Sequence, residues 1–301
     1  MGRAFFRDLT RRVLEQIDRG YDINRQNIME NKSGDRATGL DLLVDNLVED
    51  SLAGLTPRGG ILVISEESGL RVFGASTPIY FMVLDPVDGS NNLRPHPTPD
   101  PRLGISIGLG RMADLERWGD ARAIQVSLHG DLYAGSFYWA VSGQGAFFQR
   151  GDRVTRISPS PVTQLKPKAL VGMDLDDTPY LPPGYEAILD NRIIQRRLGS
   201  TILDLCQVAC GQYDAYISLS GRLKVTDVAQ STHLIKTAGG EVSLLPLVDG
   251  AGGPGRYRDY LRQVVEQESL LKKIRFRVVA AGTPDLSQLL KWLIRWEEEC
   301  V

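Results

Sequence analysis

Two aspartates follow a pattern typical of a buried strand in the first third of the chain. Residues 79–84 (IYFMVL) are apolar or aromatic and predict a strand that is buried on both faces. Asp85 comes next, Pro86 is expected to end the strand, and Asp88 follows three residues after Asp85. Gly89 permits a sharp turn. The pattern therefore predicts two carboxylates close together at the end of a buried strand.

Two neighbouring carboxylates repel each other unless a cation lies between them. Carboxylate oxygens are hard ligands, which suit Mg²⁺ or Mn²⁺ better than zinc or copper. The small residues after Asp88 have backbone N–H groups that could face an anion. A metal site beside an anion site indicates phosphate chemistry, although Asp, Pro, Gly, Ser and Asn are also the residues of an ordinary turn.

A further aspartate lies near the start of a predicted helix. Residues 38–53 repeat apolar side chains at helical spacing, and Asp41 comes three residues after Thr38. That spacing is also the spacing of a simple helix N-cap, so Asp41 has both a functional and a structural interpretation. Asp45 is one turn further along and is expected to face solvent.

Acidic residues also occur at one more strand end and one more helix start. Glu66 and Glu67 follow the predicted strand 61–65, and neighbouring strand residues point to opposite faces, so the two glutamates are expected to have different roles. Asp227 begins the predicted helix 227–238, where helix capping is the simplest explanation.

Composition narrows the function classes. The 301 residues carry a formal net charge of −2, which gives no field to attract nucleic acid or an anionic membrane. No apolar run approaches the roughly 20 residues of a membrane span, and the N-terminus does not have the pattern of a signal peptide. Three cysteines and three scattered histidines indicate neither a disulfide framework nor a zinc site. A cytoplasmic protein without nucleic-acid or membrane partners is expected.

The order of predicted elements suggests two units. The first half predicts a mixed sheet, with strands near 61–65, 79–84, 103–110, 123–128, 132–141 and 145–148. The Pro- and Ser-rich segment 158–167 is the best boundary, giving predicted domains 1–160 and 161–301. Helices and strands alternate after it, which is typical of an α/β layer.

Taken in order, these segments resemble the inositol monophosphatase / fructose-1,6-bisphosphatase superfamily through most of the chain. The resemblance is carried by Thr38-x-x-Asp41, Glu66-Glu67-Ser68, Asp85-Pro86-Val87-Asp88-Gly89-Ser90, Gly143-x-Gly145-Ala146-Phe147, Gly199-Ser200, Tyr213-Asp214-Ala215-Tyr216, Asp227-Val228-Ala229 and Val278-Val279-Ala280-Ala281. It implies a layered α/β/α/β/α sandwich, with a mixed sheet in the first half and a smaller α/β layer in the second. It also implies a homodimer or homotetramer.

The resemblance also implies roles for particular residues. Two or three Mg²⁺ ions, which Mn²⁺ could replace, would be bound by the carboxylates of Glu66, Asp85, Asp88 and Asp227 and by the carbonyl of Val87. Asp41 and Thr38 resemble the pair near the attacking water, and Ser90 resembles the hydroxyl that contacts the phosphate. Phosphate and substrate binding would involve Gly89, Ser90, Asn91, Arg94, Gly199 and Ser200.

The implied reaction is the Mg²⁺-dependent hydrolysis of a phosphate monoester of a small sugar or polyol by metal-activated water. Inositol monophosphate and fructose 1,6-bisphosphate are the candidate substrates. The alternatives are a 3′-phosphoadenosine 5′-phosphate phosphatase and a non-catalytic relative that binds a phosphorylated ligand.

The sequence departs from the superfamily pattern near the substrate. Thr226 replaces the usual aromatic residue before Asp227, and Gln230 replaces a small residue after it, so Gln230 is expected to narrow the pocket or change its polarity. Ser218 lies where inositol phosphatases have a sugar-binding glutamate. Arg94 is expected either to contact a second phosphate or to be a solvated loop arginine.

Overall fold

The computed structural model describes residues 8, 11, 12, 15, 27–32, 36–55, 59–93, 102–174, 184–248 and 258–296. Strands β1 (Asn27–Glu30) and β2 (Arg36–Thr38) form an antiparallel pair. Residues 20–37 are polar and have no clear period, which predicts a long loop, so this prediction was wrong for the part that forms β1 and β2. The helical spacing of Phe6, Leu9, Val13 and Ile17 predicts an N-terminal helix over 4–18, and most of this range falls outside the described residues.

The larger sheet has eight strands in the order β10-β9-β8-β7-β6-β5-β3-β4. All neighbours are antiparallel except β3 and β5, which are parallel. Its strands are β3 (Ile61–Ser65), β4 (Gly69–Phe73), β5 (Tyr80–Asp88), β6 (Gly104–Arg111), β7 (Ile124–Asp131), β8 (Ser136–Val141), β9 (Gly145–Arg150) and β10 (Arg153–Ile157).

The smaller sheet has five strands in the order β12-β11-β13-β15-β14. Strand β11 is parallel to both β12 and β13, and the remaining pairs are antiparallel. Its strands are β11 (Leu170–Asp174), β12 (Ile194–Arg196), β13 (Ala215–Leu223), β14 (Glu241–Val248) and β15 (Ile274–Ala281).

Seven α-helices lie within the described residues, and three short 3₁₀ turns cover Ser90–Asn92, Ala121–Ala123 and Glu268–Lys272. The helices are α1 (Gly39–Leu55), α2 (Met112–Trp118), α3 (Tyr185–Leu189), α4 (Thr201–Ala209), α5 (Val225–Ala238), α6 (Tyr260–Glu266) and α7 (Pro284–Leu293). None of these helices is both long enough and apolar enough to cross a membrane.

Three apolar cores alternate with the two sheets. Successive side chains of a strand point to opposite faces, so Met82 and Leu84 of β5 pack with α1, whereas Phe81 and Val83 face the layer that contains α4 and α5. That central core also includes β15 residues, and a third core joins the far face of the smaller sheet to α3 and α7. The predicted α/β/α/β/α sandwich is confirmed.

Helix α5 lies between the two sheets, which explains why it is buried almost all round. Every residue from Val225 to Ser231 is buried, as are Leu234 and Ile235. The central core therefore combines residues from both sides of the predicted boundary at 160, while the larger sheet ends before it and the smaller sheet begins after it. The division into domains 1–160 and 161–301 stays a prediction.

Strand β5 continues through Pro86, so the expected stop at that residue was wrong. Asp85 pairs with Ser106 and Asp88 pairs with Gly104, with an irregularity between the two pairs. A proline cannot donate a ladder hydrogen bond, and a bulge is a position where a strand tolerates this loss. The bulge keeps both aspartates at the end of one strand.

Asp45 is buried rather than solvated. Its side chain is 3% exposed and accepts a hydrogen bond from the Ser65 hydroxyl at the end of β3. The expectation of a solvent-facing aspartate was wrong because α1 lies along the larger sheet, so that its polar side also meets the end of β3.

Candidate active site

Three carboxylates meet at one edge of the larger sheet. Glu66 follows β3, Asp85 lies in β5, and Asp227 lies in the first turn of α5. One carboxylate oxygen of each lies within 4.8 Å of the others. The parallel pairing of β3 with β5 brings the first two together, because the Glu66 N–H donates to the carbonyl of Leu84, next to Asp85. Helix α5 then brings Asp227 to the same edge.

Burial makes this cluster electrostatically unfavourable without a cation. Asp85 is 1% exposed, and the side chains of Glu66 and Asp227 are nearly as buried. Burial, followed by the charge of Glu66, raises the pKa of Asp227 to about 7 and that of Asp85 well above its ordinary value. In the described part of the chain, Asp85 Oδ1 has no hydrogen-bond partner. A buried oxygen without a donor, among other carboxylates, fits a divalent ion.

Glu66 and Glu67 share one partner, Asn31, and differ in their other contacts. The Lys224 ammonium forms an ion pair with Glu66 Oε1, and the Thr226 hydroxyl donates to Glu66 Oε2 at 3.4 Å. Asn31 Nδ2 donates to Glu67 Oε1 at 3.0 Å and to Glu66 Oε1 at 3.3 Å. Burial, with the charge of Glu66, raises the pKa of Glu67 to about 8.

Lys224 and Thr226 were not identified as site residues from the sequence. They lie three positions and one position before Asp227, so the N-cap and first turn of α5 present three polar side chains to the cluster. The spacing of Lys224 to Asp227 was a signal that could have found it, because residues three apart lie on the same side of a helix. The hydroxyl of Thr226 adds a hydrogen-bond donor to Glu66.

Asp88 lies outside the group of three and connects β5 to α4. Its Oδ2 accepts hydrogen bonds from the Ser200 hydroxyl and from the Ile202 N–H, both at 2.7 Å. Ser200 is itself the N-cap of α4, because its hydroxyl accepts from the Leu203 N–H. Burial raises the pKa of Asp88, and the bonds from α4 oppose this rise.

Asp41 and Thr38 form a reciprocal pair at the start of α1. Asp41 Oδ2 accepts from the Thr38 N–H at 2.6 Å, and the Asp41 N–H donates to the Thr38 hydroxyl at 3.4 Å. These two bonds confirm the interpretation of Thr38 and Asp41 as a cap of helix α1. However, Asp41 Oδ1 is buried without a partner among the described residues, and burial raises the pKa of Asp41 to about 6. The charge of Glu66 adds to this rise, so Asp41 faces the cluster as well.

The turn after β5 is held against the start of α4. Gly89 has φ +88°, Ser90 is half-buried and Asn91 is exposed. Asn92 Nδ2 donates to the carbonyls of Arg102 and Leu198 at 2.8 and 3.0 Å. Among the described residues, neither the Ser90 N–H nor the Asn91 N–H donates to a protein acceptor, as expected at the start of a helical turn.

The turn after β5 also contacts two of the predicted substrate-binding residues. Gly199 and Ser200 contact this same turn, since an added Cβ at Gly89 would lie 2.9 Å from the Gly199 carbonyl oxygen. The Val87 side chain is buried in the core beneath α1. Arg94 lies outside the described residues.

Gly89 permits a close approach that alanine could not make. We expect Gly89→Ala to cost about 1–2 kcal/mol for the left-handed conformation. An added Cβ would also lie 2.8 Å from the Arg102 carbonyl oxygen, so the crowding should cost a further ~1–3 kcal/mol. Urea unfolding measures the loss. Gly143→Ala is the matched control, because Gly143 has φ +76° but no described atom within 4 Å of an added Cβ. Equal losses in the two variants would contradict the close approach.

The side chains of Gln230 and Ser218, two residues that depart from the superfamily pattern near the substrate, are buried in the interior. Gln230 is fully buried, and its amide donates to the Ser106 carbonyl of β6 at 3.4 Å, while its expected effect on the pocket stays a prediction. Ser218 is also fully buried and donates to Asp174 Oδ2 at 3.2 Å. Asp174 further accepts from Ser220 and pairs with Arg197 at 3.4 Å, so a carboxylate is present beside Ser218.

Asp204 supports the segment before α4. The Leu198 N–H donates to its carboxylate at 3.1 Å, and the Tyr213 hydroxyl donates at the same distance. Burial raises the pKa of Asp204 to about 7. This buried carboxylate therefore helps to hold Gly199 and Ser200 where they meet Gly89.

Comparison with known proteins is consistent with this geometry. A model of the "Inositol monophosphatase family" matches residues 3–266. A protein of Methanothermobacter thermautotrophicus named fructose-1,6-bisphosphatase/inositol-1-monophosphatase is 31% identical over 256 residues, covering 82% of this chain and 80% of that protein. A bifunctional NADP phosphatase/NAD kinase of Methanococcus maripaludis is 28% identical over 236 residues, covering 74% of this chain but 39% of that protein.

Solved structures share the fold at low sequence identity. The crystal structure of an inositol monophosphatase–fructose 1,6-bisphosphatase is 18% identical with a TM-score of 0.70, covering 97% of this chain and 99% of that chain. The Thermotoga maritima IMPase is 19% identical with a TM-score of 0.65, covering 99% and 97%. Since the family model spans most of the chain and the buried carboxylates lie at one sheet edge, the chain belongs to the inositol monophosphatase family and is a phosphatase.

Proposed function

We propose that this phosphatase depends on Mg²⁺ and hydrolyses a phosphate monoester of a small sugar or polyol. The observation that carries the proposal is the group of three buried carboxylates whose oxygens lie within 4.8 Å of one another. The orphaned Asp85 Oδ1 supports a cation there, and the Gly89–Ser90 turn beside it supports an anion. Inositol monophosphate and fructose 1,6-bisphosphate are the first candidate substrates.

Four side chains and one carbonyl are proposed to hold the ions. Glu66, Asp85 and Asp227 provide the central carboxylates, and Asp88 contributes its Oδ1, since Oδ2 is bound to α4. The carbonyl of Val87 completes the proposed set. When bound, Mg²⁺ or Mn²⁺ would polarise the phosphate, lower the pKa of the attacking water and stabilise the leaving alkoxide.

The protein's own groups account for positioning and proton transfer. Asp41 Oδ2 is fixed by the Thr38 N–H, which leaves the buried Oδ1 to accept a proton from the attacking water. A carboxylate with a pKa of about 6 can take that proton near neutral pH. The Ser90 hydroxyl and the Ser90 and Asn91 N–H groups would bind the phosphate oxygens.

Measurement of phosphate release tests the proposal. The panel contains inositol 1-phosphate, fructose 1,6-bisphosphate, 3′-phosphoadenosine 5′-phosphate and NADP⁺, the last because a relative is named an NADP phosphatase. We expect release from a sugar or polyol phosphate with Mg²⁺ and none with EDTA. Release that resists EDTA would contradict the metal assignment. Release from 3′-phosphoadenosine 5′-phosphate alone would select the nucleotide alternative, and no release from any compound of the panel would contradict the proposed substrate class.

A further inference from the structure

Lys224 is a lysine in two unfavourable positions. Its side chain is 10% exposed, and burial of an ammonium group is costly unless the group is paired. It is also the N-cap of α5, the helix end at which the macrodipole disfavours a positive charge. Negatively charged groups close to the ammonium are needed to offset both costs.

The ammonium of Lys224 lies in the field of the carboxylate cluster. The ammonium forms an ion pair with Glu66 Oε1, and the backbone N–H of Lys224 donates to Asp227 Oδ2 at 2.7 Å. Asp85 is the third carboxylate of the cluster. Three carboxylates within 4.8 Å of one another carry up to three negative charges. A single buried cation therefore neutralises part of a charge that would otherwise oppose folding.

We propose that Lys224 is a tethered cation that neutralises the cluster when no divalent ion is bound and competes with that ion for Glu66. This inference rests on the metal assignment proposed above. A divalent ion that takes Glu66 Oε1 must displace the ammonium or share the oxygen with it. Lys224 therefore keeps the metal-free protein folded and weakens the binding of the ion, which favours exchange of the ion over permanent occupancy.

Two variants of α5 distinguish the proposed role of Lys224 from the effect of losing any ion pair on this helix. Lys224→Met removes the charge and retains most of the apolar stem. Lys236→Met is the matched control, because Lys236 is also on α5 and also pairs with a glutamate, Glu241, but on an exposed surface. The readouts are the thermal unfolding temperature in EDTA and the Mg²⁺ dissociation constant from titration calorimetry, neither of which depends on turnover.

We expect Lys224→Met to lower the unfolding temperature in EDTA by about 5 °C or more. Its Mg²⁺ dissociation constant should fall about tenfold, as expected when a neighbouring positive charge is removed. Lys236→Met should change neither value appreciably, since exposed ion pairs contribute little. Lys224→Arg should restore most of the stability in EDTA because it retains the charge.

Other results for Lys224→Met either support or overturn the inference. A Lys224→Met protein that is unfolded in EDTA but folds with Mg²⁺ supports the inference. A variant unfolded under both conditions, or one with weaker Mg²⁺ binding than the wild type, overturns it. A wild-type protein that binds no Mg²⁺ overturns the metal assignment as well, which distinguishes failure of the proposed function from failure of the role of Lys224 alone.

Discussion

Replacement of Asp85 by asparagine is expected to abolish turnover and yet to stabilise the metal-free protein. Asp85 is 1% exposed, and burial and the charges of Glu66, Asp88 and Asp227 raise its pKa. Asparagine is neutral at every pH and has nearly the same volume, so it removes the cost of burying an acidic group among other carboxylates. The same change removes a proposed metal ligand, and the loss of several kcal/mol of transition-state stabilisation corresponds to at least about a thousandfold in rate.

Two measurements on Asp85→Asn test these opposite effects. Phosphate release with Mg²⁺ should fall by at least about a thousandfold. The unfolding temperature in EDTA should rise by about 2–4 °C, which is about 1 kcal/mol for a chain of this size. In Mg²⁺ the wild type should gain more stability than the variant, because ligand binding to the folded state stabilises it.

Asp214→Asn is the matched control for Asp85→Asn. The Asp214 carboxylate accepts hydrogen bonds from the Ser160 hydroxyl and the Leu170 N–H, in the smaller sheet and away from the cluster. This variant should lose stability, since one good acceptor is replaced, but should retain turnover per folded molecule. An Asp85→Asn protein with near wild-type activity would contradict the site assignment, and one less stable than the wild type in EDTA would contradict the electrostatic account.

The metal-free protein should lose stability as the pH rises from about 6.5 to about 8. The pKa of Asp227 and of Asp204 is raised to about 7 and that of Glu67 to about 8. Carboxyl groups in the unfolded chain titrate near 4, so the folded state holds extra protons above that pH. The stability that these protons provide is complete below about pH 4 and is lost as the pH rises through the folded values.

Two buried histidines oppose this effect at lower pH and define the useful window. Burial lowers the pKa of His129 to about 3 and that of His233 to about 4. Their contribution to stability is lost as the pH falls below about 6.5, where the unfolded chain gains the protons. At pH 6.5 the unfolded histidines are still about half protonated, so their opposing contribution fades by about pH 7.5, and the carboxyl groups then determine the slope.

Urea unfolding in EDTA across this window measures the slope. If the folded state holds one proton more than the unfolded state, the free energy of unfolding falls by about 1.4 kcal/mol per pH unit. We expect a slope of at least this size. Saturating Mg²⁺ should reduce the slope, because an ion bound to the cluster favours the charged carboxylates. Glu67→Gln, which removes one of the titrating groups, should also reduce it. A stability that is constant or that rises between about pH 6.5 and about pH 8 in EDTA would show that the cluster does not hold the extra protons.

Local patterns were sufficient for the elements that carry the site. An apolar run of six residues followed by Asp85 predicts a buried strand ending in carboxylates, and the structure has β5 there. The apolar helical spacing over 200–210 predicts a helix, and the structure has α4 there with Ser200 as its N-cap. These predictions succeed because periodicity and turn chemistry act over a few neighbouring residues. The order of such segments was also sufficient to indicate the family and the layered fold.

Local patterns were less reliable where a neighbour changes the preference of a residue. Pro86 normally ends a strand, but a bulge against β6 accommodates it. Asp45 has a residue type that normally faces water, but the Ser65 hydroxyl at the end of β3 provides a partner in the interior. Asp227 lies at the third position of α5 rather than at its cap, because the helix begins at Val225.

The sequence by itself determined which acidic residues end strands and begin helices, and therefore which residues were available to bind a cation. Only the tertiary structure decided how they are divided: Glu66, Asp85 and Asp227 form one group, while Asp88 is bound to α4. It also placed Lys224 on Glu66, although 158 residues separate them. The physical reason is that the packing of α5 across two sheets sets these contacts, and no local periodicity encodes the distance between a helix start and a remote strand end.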